Sequence, residues 1–254
     1  MTGTLTSRSP SSSPAFNSEN RRKVGRPRKD SNTPSVRESL IALTRQEVAQ
    51  HGPLAVNART VCMLAGVTFA NVNYNFGTWN GLLAEAAAET YVDFVESIWA
   101  QVQTAPRDPE QRFRAWVSAQ IEWHQSNPGW GAFFVFPVSA EVPAQLMREK
   151  AGARISGYFA LNLARLGSLV RDLRDNTVTD FNYGTDNFPR AEMAQDTDLV
   201  LRANSIGWSI MGLAVWKAGS HVQRDRVPEI DRFESDIVDF HITELVASAR
   251  RGLN

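Results

Sequence analysis

The chain has 254 residues, 43% hydrophobic and 21% charged with a formal net charge of zero, a composition that suits one or two globular domains with sizeable cores. It has no run of about 18 consecutive apolar residues, so no membrane span is expected, and the Ser/Pro-rich start lacks the apolar stretch of a secretory signal, which points to the cytoplasm. A single cysteine, Cys62, excludes an intrachain disulfide and a cysteine-based zinc site.

Residues 1–33 are dominated by Ser, Pro, Asn and basic residues without hydrophobic periodicity, the pattern of a disordered arm. The zero net charge hides an asymmetry. Residues 1–81 hold ten Lys/Arg against four acids, a net +6 that leaves −6 for the remainder. A basic end on an acidic body is expected when only that end meets a polyanion. The basic cluster Arg21–Lys29 contains Gly25-Arg26-Pro27, which favours a narrow, extended backbone. Arg26, Arg28 and Lys29 either reach into a minor groove or touch phosphates from a solvated tail.

Pro34 and Ser35 start a first helix that reaches about Gln50 and stops at Gly52-Pro53; its inner face is Leu40, Ile41, Thr44 and Val48. Asn57 caps a short helix over Ala58–Leu64, Ala65-Gly66-Val67-Thr68 reads as a turn, and a third helix covers Phe69–Phe76. Gly77-Thr78 breaks the chain before a long fourth helix to about Gln103. Beyond Pro106, helices are expected from Asp108-Pro109 to Ser126, over an apolar stretch Trp130–Val138 that is short and buried, from Pro143 to about Asp172, from Asp196 to Ala218, and from Pro228 to Arg250. Residues 174–195 read as a long loop. No strand alternation is present, so the fold class is all-α.

The segment Asn57–Gly77 meets the steric needs of a helix-turn-helix. Cys62 is a small residue where two helices approach, Gly66 permits the turn, and Val61, Val67 and Val72 lock the pair. The second helix of the pair then presents Thr68, Phe69, Ala70, Asn71, Asn73 and Tyr74 outward, short or polar side chains suited to base edges and phosphates. No acid lies between Arg59 and Leu83, where a carboxylate would be repelled by phosphate. Tyr74 is the leading phosphate contact, with Asn71, Thr68 and Arg59 as further candidates. Asn71 or Asn73 reads an adenine edge. Phe69 either packs on a thymine methyl or wedges against the first helix.

Ala65-Gly66-Val67-Thr68, Val72-Asn73-Tyr74-Asn75-Phe76-Gly77 and Leu82-Leu83 resemble the TetR (tetracycline-repressor-like) family of regulators. The resemblance spans residues 35–90. It implies a three-helix head (residues 34–80) and a body of about six helices (residues 81–254). It also implies a homodimer built on the last two helices, a palindromic double-stranded DNA operator, and a body pocket whose small-molecule effector controls DNA affinity, usually for repression. Two positions depart from the family pattern. Asn75 stands where a His is usual, and Thr78-Trp79-Asn80 stands where Ser-Lys-Glu is typical. Trp79 lacks the lysine charge but keeps an indole N–H donor, so greater dependence on the basic arm is expected.

Six of the seven tryptophans lie in 99–216. Aromatics at this density fill a core or line a pocket for a flat or lipophilic effector. Trp116, Trp123, Phe134, Trp208 and Met211 are the candidate ligand residues. Two further function classes stay open. One is an architectural DNA binder with no effector. The more distant one is a helical enzyme, for which no phosphate loop, nucleophile elbow or zinc pattern is present, so no cofactor or metal is expected.

Overall fold

The computed structural model describes residues 34–135, 141–180, 195–219 and 229–251, the last helix by its backbone alone over 229–234. Arg26, Arg28 and Lys29 therefore lie outside the described residues, as do Phe136 to Val138 of the apolar stretch.

Among the described residues there are nine helices and no strand: α1 (Val36–His51), α2 (Ala58–Ala65), α3 (Phe69–Phe76), α4 (Trp79–Thr104), α5 (Pro109–Ser126), α6 (Pro128–Val135), α7 (Glu141–Asp175), α8 (Thr197–Gly219) and α9 (Glu229–Arg251). Local chemistry sets most of the boundaries. Ser35 and Glu38 form a capping box at the start of α1, satisfying two otherwise orphaned backbone donors. Thr78 accepts from the Gly81 N–H at 3.0 Å to open α4, and Asp108 accepts from the Gln111 N–H at 2.8 Å to open α5.

Two junctions differ from the sequence expectation. Pro128-Gly129 follows the expected end of α5 at Ser126, but α6 opens at Pro128 itself rather than at Trp130, with only Asn127 between the two helices. Pro128 is tolerated because it occupies the first position of the new helix. A Cβ on Gly129 would lie 1.9 Å from the Val48 carbonyl oxygen, so this glycine lets α6 rest on the end of α1. Helix α7 starts at Glu141, ahead of Pro143, since a proline in the first turn removes no intrahelical hydrogen bond.

Apolar side chains collect in two clusters. One joins α1, α2 and α3 to the first half of α4, with Trp130 and Phe133 of α6 and Ala144 of α7. The other joins the second half of α4 to α5, α7, α8 and α9. Helix α4 belongs to both: Leu82, Leu83, Ala86 and Ala87 in the first, Phe94 to Val102 in the second. The expected inner face of α1, Leu40, Ile41, Thr44 and Val48, is buried throughout.

Helix α8 buries Leu199, Ala203, Ile206, Ile210 and Ala214 against the body, while Leu201 and Trp208 on its other side are exposed. With both sides apolar, α8 is long and apolar enough to cross a membrane by length and composition, a feature absent from a count of uninterrupted apolar residues. Helix α9 likewise buries Ile242 and Val246 and exposes Ile237 and Phe240.

Candidate nucleic-acid interface

The short helix α2 opens on Asn57, whose side-chain oxygen accepts from the Thr60 N–H at 3.1 Å. It ends at Gly66, in the left-handed region with φ 64°, where a side chain would be strained. The turn is closed by the Gly66 N–H donating to Met63 O at 3.2 Å and the Val67 N–H donating to Cys62 O at 3.0 Å. Val61, Cys62, Val72 and Phe76 are sealed beneath the two helices, with Val67 partly buried beside them. Burial pushes the Cys62 thiol pKa up, which keeps it a neutral packing group rather than a reactive thiolate.

With Val72 and Phe76 turned inward, the rest of α3 faces out. Thr68, Ala70, Asn73 and Tyr74 are exposed, Tyr74 at 90%. Asn71 is half-buried, and its Nδ2 donates to the Thr68 hydroxyl at 3.3 Å. That hydroxyl makes no capping bond to the helix backbone, leaving the first-turn N–H groups of α3 without a side-chain cap. Asn75 is turned back on its own helix, its Nδ2 donating to Asn71 O at 2.7 Å, so the side chain in the usual histidine position is engaged internally.

Phe69 is 51% exposed. It stands over a shallow groove shared with Arg59, Cys62, Met63 and Trp79 rather than being sealed against α1. Arg59 is exposed and makes no ion pair among the described residues. Trp79 packs partly into the apolar cluster, and its indole N–H makes no hydrogen bond among the described residues. Among the described residues, the groove and the outward face of α3 thus combine one free guanidinium, exposed amide and hydroxyl groups, and no carboxylate.

Two cations absent from the sequence reading flank this surface. Lys150, from α7, donates to Phe76 O at 3.4 Å and lies 3.9 Å from Glu85. Arg37, from α1, pairs with the same Glu85 and stands 5.4 Å over the Phe76 ring. They pair with the carboxylate nearest in sequence to α3 and tie the end of α3 to a body helix. Lys150 is 74 residues from its acceptor, and no local pattern announces such a contact.

The body contains a cleft of about 570 Å³, open solvent at its mouth included. Trp116, Trp208 and Met211 line it, together with Phe94, Gln120 and Asn162. Trp123 and Phe134 are elsewhere. They stack on each other at 6.1 Å between ring centroids, and Phe134 stacks on Trp130 at 6.0 Å. Phe94 touches both groups, with its ring 4.4 Å from Trp123 and 6.5 Å from Phe134. At the far end of this aromatic row the Trp130 indole N–H donates to Arg45 O of α1 at 2.9 Å.

No family model and no curated protein matches the chain. Solved structures do resemble it. A protein assigned as a transcriptional regulator of Pseudomonas aeruginosa PAO1 is 22% identical over 85% of this chain and 92% of its own, with a TM-score of 0.53. Another, assigned as a TetR-family transcription regulator of Shewanella sp. PV-4, is 16% identical over 87% of this chain and 100% of its own, with a TM-score of 0.50. The likeness is one of architecture, and it agrees with the helix order and the α2–α3 geometry: the chain has the all-α fold of TetR-type transcription regulators.

Proposed function

We propose that the chain is a sequence-specific DNA-binding regulator of the TetR type, acting as a cytoplasmic, nucleoid-associated repressor whose DNA affinity is set by a small molecule in the body cleft. The observation that carries this reading is the outward face of α3. It is free of acids, it displays Asn73 and Tyr74, and it is fixed from beneath by Val72 and Phe76. Entering a major groove, such a face places asparagine amides at adenine edges, where one amide matches two base atoms. The Tyr74 hydroxyl, Thr68, Arg59, the Trp79 N–H and the uncapped first turn of α3 contact phosphate. Its exposure suits Phe69 to a thymine methyl.

The exposed apolar positions Leu201 on α8 and Ile237 and Phe240 on α9 support a homodimer through these helices. Twofold symmetry then sets two copies of α3 about one DNA turn apart on a palindromic operator. Effector control is supported by the cleft and by the aromatic row from Phe94 to Trp130, which ends on the α1 backbone. An open cleft also favours this reading over an architectural DNA binder with no effector.

Footprinting of the purified protein on its genomic DNA tests the proposal. Expected is a small set of protected palindromes adjoining promoters. Uniform weak protection, or none, would overturn it.

A further inference from the structure

The walls of the body cleft specify more than a hydrophobic hole. Gln120 is only 4% exposed, yet its side-chain amide makes no hydrogen bond among the described residues. Its amide atoms are not sealed but open onto the cleft, where water satisfies them until a ligand takes its place. Gln120 shares the cleft lining with two more amides that are half-used. Asn162 accepts from the Trp99 indole N–H at 2.8 Å through Oδ1, which leaves its Nδ2 as a donor. Asn204 donates to Val200 O at 2.8 Å through Nδ2, which leaves its Oδ1 as an acceptor. The rings of Phe94, Trp116 and Trp208 line the same cleft. None of the described residues lining the cleft carries a charge.

We infer that the cleft binds an uncharged, flat, largely apolar molecule bearing both a hydrogen-bond donor and an acceptor, which Gln120, Asn162 and Asn204 satisfy while the aromatic rings sandwich its faces. A carboxylate or phosphate ligand would shed its hydration against these walls and find no countercharge, so anions are selected against. Trp208, 64% exposed, forms the lip and closes over the outer face of the ligand. This deepens the effector half of the proposed function and rests on the cleft being the effector site.

The test is a fluorescence titration of the full chain, without DNA, using a matched pair of probes. These are N-phenylnaphthylamine, which is uncharged, and anilinonaphthalene sulfonate, which adds an anion to the same skeleton. The neutral probe is expected to bind about tenfold or more tightly than the sulfonate, since an unpaired ion gains nothing to offset its desolvation. Gln120→Glu, which places a carboxylate in the wall, and Gly207→Leu, which narrows the cleft beside Leu166, are each expected to weaken the neutral probe by about the same factor. Trp208→Ala, at an exposed position that carries little folding risk, should weaken it several-fold. Equal or tighter binding of the sulfonate, no binding of the neutral probe, or neutral-probe binding indifferent to Trp208→Ala would each overturn the inference. Because the titration contains no DNA, a failure here leaves the α3 reading intact. Loss of operator binding alone would in turn leave this inference standing.

Discussion

The head and the body are both built of packed helices, but they place their polar groups in opposite ways. In α2 and α3 the underside is wholly apolar, and Thr68, Asn73 and Tyr74 point to solvent. In the body, polar atoms are carried inward. Gln120 sits unpartnered at a cleft, and Trp116 Nε1 and Ser168 Oγ are buried without a hydrogen-bond partner among the described residues. An exposed polar face costs nothing until a hydrated polyanion meets it, whereas an amide at a cleft such as Gln120 exchanges water for a ligand. The same architecture thereby supplies a reading surface at one end and a receiving interior at the other.

The sharpest way to break the comparison is at the seam. Trp130 is buried in the head cluster from a body helix and donates to Arg45 O. Trp130→Ala is expected to lower unfolding stability by about 3–5 kcal/mol, the range for removing a buried large aromatic, as read by urea denaturation. A loss below about 1 kcal/mol would mean the two regions are held together by something else. Deleting residues 1–30 removes the Arg21–Lys29 cluster and should leave stability unchanged. Operator affinity should fall by about a hundredfold, and the dependence of log affinity on log salt should become shallower by several units. An unchanged slope would remove the arm from the interface. Asn57→Ala strips the α2 cap and should cost about 1 kcal/mol of stability, confined to the head.

The smallest effect separates the body by pH. Burial lowers the His124 pKa below its ordinary value, opposed in part by the hydrogen bond to Gln120. In that bond the Nδ1–H donates to the Gln120 carbonyl at 2.8 Å. The unfolded chain therefore takes up this proton at higher pH than the folded one. The stability due to a neutral His124 is complete above the unfolded value of about 6.5 and declines as pH falls through it toward the folded pKa. Melting temperature should drop on acidification below pH 6.5, and His124→Gln should flatten that decline.

Much of the head was legible in the sequence because its determinants are local. The cap at Asn57, the left-handed turn at Gly66, the cap at Thr78 and the inward Val72 and Phe76 all act within a few residues of one another. The body was legible as helices but not as a site. Its cleft is assembled from α4, α5, α7 and α8, so Trp116, Trp208 and Met211 meet there while Trp123 and Phe134, equally aromatic, stack elsewhere. Gln120, Asn162 and Asn204 carry no pattern that separates them from surface amides, and Lys150 meets Phe76 only through tertiary packing. Pro128-Gly129 was legible as the end of α5 at Ser126 but not as the opening of α6, whose close approach to α1 depends on the bare glycine.

The most direct test of the account compares the wild-type chain with the double variant Asn71→Ala/Tyr74→Ala on the operator recovered by footprinting, by fluorescence anisotropy with a scrambled duplex as competitor. Tyr74 is nearly fully exposed, so the variant should melt within about 1 kcal/mol of wild type. It should lose about 2–5 kcal/mol of operator affinity while keeping its weak affinity for the scrambled duplex. A folded variant that still prefers the operator as strongly as wild type would contradict α3 as the reading helix.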